Sequence, residues 1–234
     1  MNYFAHAIRY LDRPWFAAGT AVPDWLSVAD RGVRVRARLL EPLTPTLESP
    51  EEREVAAGIL QHLHDDQWFH GTPGFAISTA RLSTAFRTLS SDPEFPASFL
   101  GHVVMEMLLD VALIRRHPGV LDLYYDALDR VDGRVIQSVV NRAARNRTEN
   151  LARLVPLFVQ ERFLADYPDP ERLLFRLNQV MRRVKLPGLP EGALPVLRAG
   201  AEIVEEHFDE LLPADLYPWP DAAIPNTAFP TRLA

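Results

Sequence analysis

The chain has 234 residues and a mass of 26.5 kDa, with 47% hydrophobic and 24% charged residues, the balance of a globular protein long enough to bury its own core. It contains no cysteine, which excludes disulfide scaffolds, thiol nucleophiles and cysteine-ligated metals, so any metal must be held by His, Asp and Glu. A net charge of −6 and a pI of about 5.7 argue against nucleic acid as the main partner.

Twenty prolines against eleven glycines punctuate apolar runs of helical period, which predicts an all-α protein. We expect a single multi-helix domain over 1–211 and an extended proline-rich tail over 212–234. No run reaches the ~18 uninterrupted apolar residues of a membrane span. The opening segment carries His6, Arg9, Asp12 and Arg13, which is not the layout of a signal peptide. The expected location is therefore cytoplasmic, in a bacterium.

The first predicted helix, 3–11, holds His6 in the apolar run Tyr3-Phe4-Ala5-His6-Ala7-Ile8. Taken alone, His6 reads as a core histidine. A second helix is expected over 24–39, with Asp24 after Pro23 as its N-cap. Its end alternates Val33, Val35, Ala37 and Leu39 with Arg34, Arg36 and Arg38. One such segment cannot make a sheet, so it is assigned to helix end or loop. A Pro/Thr/Ser-rich surface loop follows over 40–50.

Ser49-Pro50-Glu51-Glu52 supplies an N-cap, a proline at the first helical position and acids in the first turn. The helix it starts, 50–70, carries His62, Asp66 and His70 at four-residue intervals. Residues so spaced lie about 40° apart on one helix face and can share an ion. Imidazole plus carboxylate suits Zn, Mn or Fe. His64 and Asp65 point elsewhere and read as solvated. After a helix over 74–89, the helix 97–117 repeats the spacing with His102, Glu106 and Asp110, among Val103, Val104, Met105, Met107, Leu108 and Leu109. A helix apolar nearly all round is buried, and buried charges are costly unless paired or bound to metal. Metal binding or catalysis explains this stripe better than an ion-pair network with Arg115 or Arg116.

Further helices are expected over 120–131, 134–146, 148–166, 170–184 and 191–211, two of them opened by Thr148-Glu149 and Asp169-Pro170-Glu171. His207 beside Glu205, Glu206 and Asp209 reads as a solvated face. The tail should lie against the body through Tyr217, Trp219 and Phe229. The half after residue 118 is expected to set substrate choice or to form a homodimer interface.

The order of these motifs resembles the acyl-carrier-protein phosphodiesterases, helical bacterial phosphohydrolases similar to HD-domain enzymes. The resemblance covers about residues 1–118. Met1-Asn2-Tyr3-Phe4-Ala5-His6 stands for that family's Asn-Phe-Leu-Ala-His segment, and Gly19 to Trp25 for its Gly-Asn-x-x-x-Asp-Phe segment. Gly58-Ile59 through His62, Asp66 and His70 stands for Gly-Ile-x-x-His-x-x-x-Asp-x-x-x-Asp, with His70 in place of an acid. His102-Val103-Val104-Met105-Glu106-Met107 departs from the family's Asp-x-x-x-Asp-His, whose histidine is missing here. A weaker similarity joins Gly19 to Asp24 and Phe99 to Asp110 to zinc-dependent phospholipase C-like proteins.

The resemblance implies an HD-like bundle and a divalent-metal-dependent phosphodiester hydrolase. It raises His6 and Asp24 to ligands alongside His62, Asp66, His70 and His102, for one or two ions of Mn, Zn or Fe. Glu106 or Asp110 would be the general base. Arg34, Arg36 and Arg38, or the cluster Arg142, Arg145 and Arg147, would grip phosphate. The substrate would be a small phosphoester of the phosphopantetheine type, with an acidic carrier protein as partner. The other readings are a non-catalytic helical protein with a structural metal site and a lipid phosphoesterase. No Gly-x-Ser-x-Gly elbow or phosphate-binding glycine loop is present in the sequence.

Overall fold

The computed structural model describes residues 1–219. Among them the chain is all-α, with no strand. Its helices are α1 (Tyr3–Ala7), α2 (Pro14–Ala29), α3 (Ala37–Leu40), α4 (Pro50–Phe69), α5 (Pro73–Arg87), α6 (Ala97–Arg116), α7 (Val120–Leu128), α8 (Gly133–Ala143), α9 (Leu151–Glu161), α10 (Pro170–Arg183), α11 (Leu194–Glu206) and α12 (Phe208–Leu211).

Local chemistry sets several starts. Ser49 accepts from the Glu52 N–H while the Glu52 carboxylate accepts from the Ser49 N–H, a capping box that opens α4. Asp169 accepts from the Glu171 and Arg172 N–H groups at the head of α10. Thr148 opens no helix. Its hydroxyl accepts from the Asn150 N–H in a turn, and α9 begins at Leu151. Arg162, at φ 44°, separates α9 from a 3-10 turn, Phe163–Asp166, so the expected helix over 148–166 is two pieces.

The expected helix over 24–39 is corrected most. α2 runs from Pro14 to Ala29 with Pro23 inside it, and Asp24 is a mid-helix residue, not a cap. An interior proline costs about 3 kcal/mol. Here Ala17, Ala18, Ala21, Val22 and Trp25 are fully buried around it, and that packing holds the helix. After α2 the chain is extended, with Val33 and Val35 buried and Arg34 and Arg36 exposed, before the single turn of α3.

Glycine sets the two closest helix contacts. A Cβ on Gly58 would lie 2.1 Å from the Phe16 carbonyl oxygen, and one on Gly19 would lie 2.4 Å from that of Val55. Helices α2 and α4 therefore meet backbone to backbone. At the α5–α6 contact, a Cβ on Gly101 would lie 2.8 Å from the Ser83 backbone nitrogen. One turn beyond Gly58 stands His62; immediately after Gly101 stands His102. Helix α6 is long and apolar enough to cross a membrane, but 67% of its most apolar window is buried inside the protein, as in a core helix.

The chain after α12 lies against the body. The Tyr217 ring is fully buried, its hydroxyl donates to the Ala5 carbonyl, and Trp219 packs on it edge-on. Phe229, Pro220, Pro225 and Pro230 lie outside the described residues.

Candidate metal centre

Helices α1, α2, α4 and α6 carry their imidazoles and carboxylates to one place. His6, His62 and Asp66 form one group whose potential ligand atoms all lie within 4.8 Å of one another; His70, His102 and Glu106 form a second. Both are the His–His–carboxylate set that divalent transition ions prefer.

The first group is the more buried. His62 Nδ1 donates to the Thr20 carbonyl at 2.7 Å. A carbonyl can only accept, so that nitrogen carries the proton, and Nε2 faces Asp66 Oδ2 at 3.4 Å. The bond exists because the Gly19–Gly58 contact brings α2 this near to α4. His6 stacks on His62, with centroids 3.9 Å apart. Its Nε2 lies 3.3 Å from Asp66 Oδ1 and 3.1 Å from the Met1 carbonyl.

The second group faces outward. His70 Nε2 and His102 Nε2 converge on a single oxygen, Glu106 Oε1, at 3.3 and 3.2 Å, with the two imidazole side chains 38% and 42% exposed. The pairing with Glu106 raises the His102 pKa.

A positive group already joins the two sets. The Met1 ammonium donates to Asp66 Oδ1 at 2.9 Å and to Glu106 Oε1 at 3.2 Å. Burial disfavours its charge, but Glu106 and Asp66 outweigh this and hold its pKa up at about 10. Burial would likewise raise both carboxyls. His6, His62 and the ammonium hold Asp66 well below the usual carboxylate range, and the ammonium, His102 and His70 do the same for Glu106. In this structure the ammonium meets that charge; the same donors are also a set that suits a divalent cation in its place.

Asp24 stands apart from both groups. Its Oδ2 is sealed from solvent and has no hydrogen-bond partner. Burial pushes its carboxyl up to about 7, against the pull of His62 and the Met1 ammonium. An unpaired buried carboxylate oxygen is costly, and it marks a polar site short of one partner.

Sequence reasoning set Asp65 aside as solvated, but the side chain is fully buried. It accepts from Arg9 Nη2 at 2.9 Å, Gln61 Nε2 at 2.8 Å and Trp68 Nε1 at 3.2 Å. Its Oδ2 lies 3.6 Å from His6 Nδ1. That is beyond hydrogen-bond reach, and His6 Nδ1 has no hydrogen-bond partner, but the carboxylate lies on the side from which a second group would orient a metal-bound imidazole. The Arg9 guanidinium stacks in turn on Tyr217 at 3.9 Å. The one available signal was position: Asp65 flanks the ligand row on a helix covered from two sides. His64 is exposed as expected.

The other expectations divide. Glu106 contacts His70, His102 and the Met1 ammonium through one oxygen. Asp110 is buried with both oxygens engaged by the Phe4 and Ala5 N–H groups, at 3.2 and 2.8 Å. Burial outweighs those bonds and pushes its pKa up to about 7. Its place is at the head of α1, where it sets the position of His6. Arg34, Arg36 and Arg38 are exposed and line no cavity near the acids. Arg142 pairs with Glu52. His207 is half-buried against Arg81 and Glu210, away from both groups.

What does adjoin the acids is a cavity of about 360 Å³ whose wall includes Asp24, Glu106, Tyr3 and Arg183. Much of that wall comes from α9, the following 3-10 turn and α10. No family model, curated protein or solved structure matches the chain.

Proposed function

We propose that this protein is a divalent-metal-dependent hydrolase of phosphoric esters. One observation carries the reading: two His–His–carboxylate groups lie side by side at the edge of a cavity. Structural metal sites are closed by their ligands, whereas catalytic ones keep an open side. The exposed imidazoles of His70 and His102 and the cavity beside Glu106 favour catalysis over a purely structural role. The motif order shared with acyl-carrier-protein phosphodiesterases agrees with this reading.

His6, His62 and Asp66 would hold one ion, and His70, His102 and Glu106 a second. Ions so held supply Lewis acidity, polarising a phosphoryl oxygen and lowering the pKa of water. The protein's own groups divide the remaining tasks. Thr20 and Asp65 keep His62 and His6 oriented, and Asp110 fixes the helix that carries His6. Asp24, on the wall of the adjoining cavity, would take a proton from the attacking water once its carboxylate turns to meet it. The water oxygen bonds to phosphorus, the bond from phosphorus to the leaving alcohol breaks, and a proton returns to that alcohol's oxygen.

The test is metal content and turnover together. The purified chain should bind Mn or Zn tightly and hydrolyse bis(p-nitrophenyl) phosphate. His62→Ala and Asp66→Ala should each lower metal affinity by more than the ~100-fold that loss of an orienting group costs. Absence of metal binding, with melting unchanged by a chelator, would sink the proposal.

A further inference from the structure

The cavity beside the acids has two kinds of wall. One end holds Asp24, Glu106 and the Tyr3 ring. The rest is largely apolar, including Trp25, Val28, Met107, Leu157, Phe158 and Phe163. Of its two arginines, Arg176 is committed: Nη2 lies 2.6 Å from Asp166 and Nη1 donates to Gln179 at 3.1 Å. Arg183 is exposed and has no carboxylate partner among the described residues. Arg183, Asp24 and Tyr3 all line this one cavity.

We propose that this cavity is the substrate's alcohol pocket and that the preferred substrates are phosphoesters of a single compact apolar alcohol, of the size of one or two fused aromatic rings. The inference rests on the hydrolase reading and narrows it. Three observations lead there. The acids and the apolar wall belong to one cavity, so a phosphoryl group at Asp24 and Glu106 leaves its ester group against Trp25 and Phe158. Arg183 lines the same cavity and has no carboxylate partner among the described residues, so it supplies a cation for a phosphoryl oxygen, and guanidinium suits it. The volume of about 360 Å³ sits at the lower end of small-molecule sites. It suits one ring system, not the paired acyl chains of a phospholipid. A polar pantetheine-like arm would set its amides largely against the aromatic faces of Trp25, Phe158 and Phe163, with Asn2, Ser27 and Gln179 the main polar partners.

Binding can be read apart from catalysis. In metal-free protein, calorimetry should detect 1-naphthol binding with the negative heat-capacity change of apolar burial, and no binding of ethanolamine. Val28 and Leu157 are 39% and 53% exposed, so the double variant Val28→Trp, Leu157→Trp narrows the mouth without disturbing the core. It should weaken naphthol at least tenfold while metal uptake and melting temperature stay unchanged. In the metal-loaded chain, KM for 1-naphthyl phosphate should lie at least tenfold below that for phosphoethanolamine. Arg183→Ala should raise KM for the naphthyl ester while leaving the Kd for naphthol unchanged.

Equal KM values for the two esters, or naphthol binding indifferent to the tryptophans, would overturn the pocket assignment. The hydrolase proposal would survive that if bis(p-nitrophenyl) phosphate is still cleaved. Naphthol binding that responds to the tryptophans in a chain that takes up no metal would instead overturn the hydrolase proposal and leave an apolar binding site.

Discussion

Two regions build the proposed site by different means. The helices before residue 118 contribute charge: two imidazole–carboxylate groups, an unpaired aspartate and the residues that orient them. The helices after residue 118 contribute shape, through Leu157, Phe158, Phe163 and the arginines of α10 along one cavity wall. Charge is placed by periodicity within single helices, since His62 and Asp66, or His102 and Glu106, are neighbours on any α-helix. Shape is placed only by packing between helices far apart in the chain. Chemistry and selectivity should therefore respond to separate sets of substitutions.

The largest effect should come from the backbone contact under the charged region. Gly58→Ala puts a Cβ 2.1 Å from the Phe16 carbonyl oxygen, and backbone there cannot rotate away. Helices α2 and α4 must separate, at a cost of about 3 kcal/mol, the upper range for overpacking. In a domain of this size that lowers the melting temperature by roughly 6–12 °C. The same movement pulls the Thr20 carbonyl off His62, so metal affinity should fall along with stability, while a substitution at Leu157 should alter neither. A Gly58→Ala protein with wild-type metal affinity would break the link between the helix contact and the ligand.

Asp65→Asn comes next. The amide keeps the shape but not the charge that faces His6 Nδ1 and Arg9. Metal affinity should drop about 10–100-fold, the usual range for a group behind a ligand, with little change in the binding of 1-naphthol. Titration calorimetry of both ligands on one preparation sets the two regions against each other directly.

How much was legible beforehand follows the same division. The starts of α4 and α10 were readable because their caps are local, and the ligand rows because four-residue spacing is a property of one helix. Pro23 misled: a proline beside an aspartate is a start signal unless the preceding residues are needed in the core, and Ala17 to Val22 are. Asp65 was missed because burial on a second face of α4 depends on Arg9 and Tyr217, which sequence spacing does not connect to it. No local pattern joins Arg183 to Asp24, so the sequence pointed instead to Arg34, Arg36 and Arg38 or to Arg142, Arg145 and Arg147 as a phosphate grip.

The titrations divide the charged region itself. Asp24 and Asp110 have pKa values raised to about 7 by burial, so the folded chain holds protons that the unfolded chain releases near pH 4. Their contribution to stability is complete below that pH and is lost as pH rises to about 7. Asp65, Asp66 and Glu106 are shifted down, so theirs is present above about pH 4 and lost below it. The metal-free chain should therefore melt highest near pH 4–5 and at clearly lower temperature by pH 7. Asp110→Asn should flatten the upper limb without moving the lower one. Melting curves in chelator across pH 3–8 check this, and a maximum at pH 7 or above would refute it.

The smallest effect separates the two candidate phosphate grips. Arg34 and Arg36 project from an extended segment whose valines are buried, Arg38 from the single turn of α3, and all three are exposed. Exposed charges lying more than about 8 Å from a bound anion are largely screened at physiological salt. Replacing all three with alanine should change KM for 1-naphthyl phosphate less than twofold, while Arg183→Ala alone raises it more. The triple variant also removes three positive charges from a chain already at −6, so any long-range steering of an anionic ester would appear as a loss that grows at low ionic strength. A KM increase that persists at high salt would mean direct contact, and would move the grip from α10 back to the segment between α2 and α3.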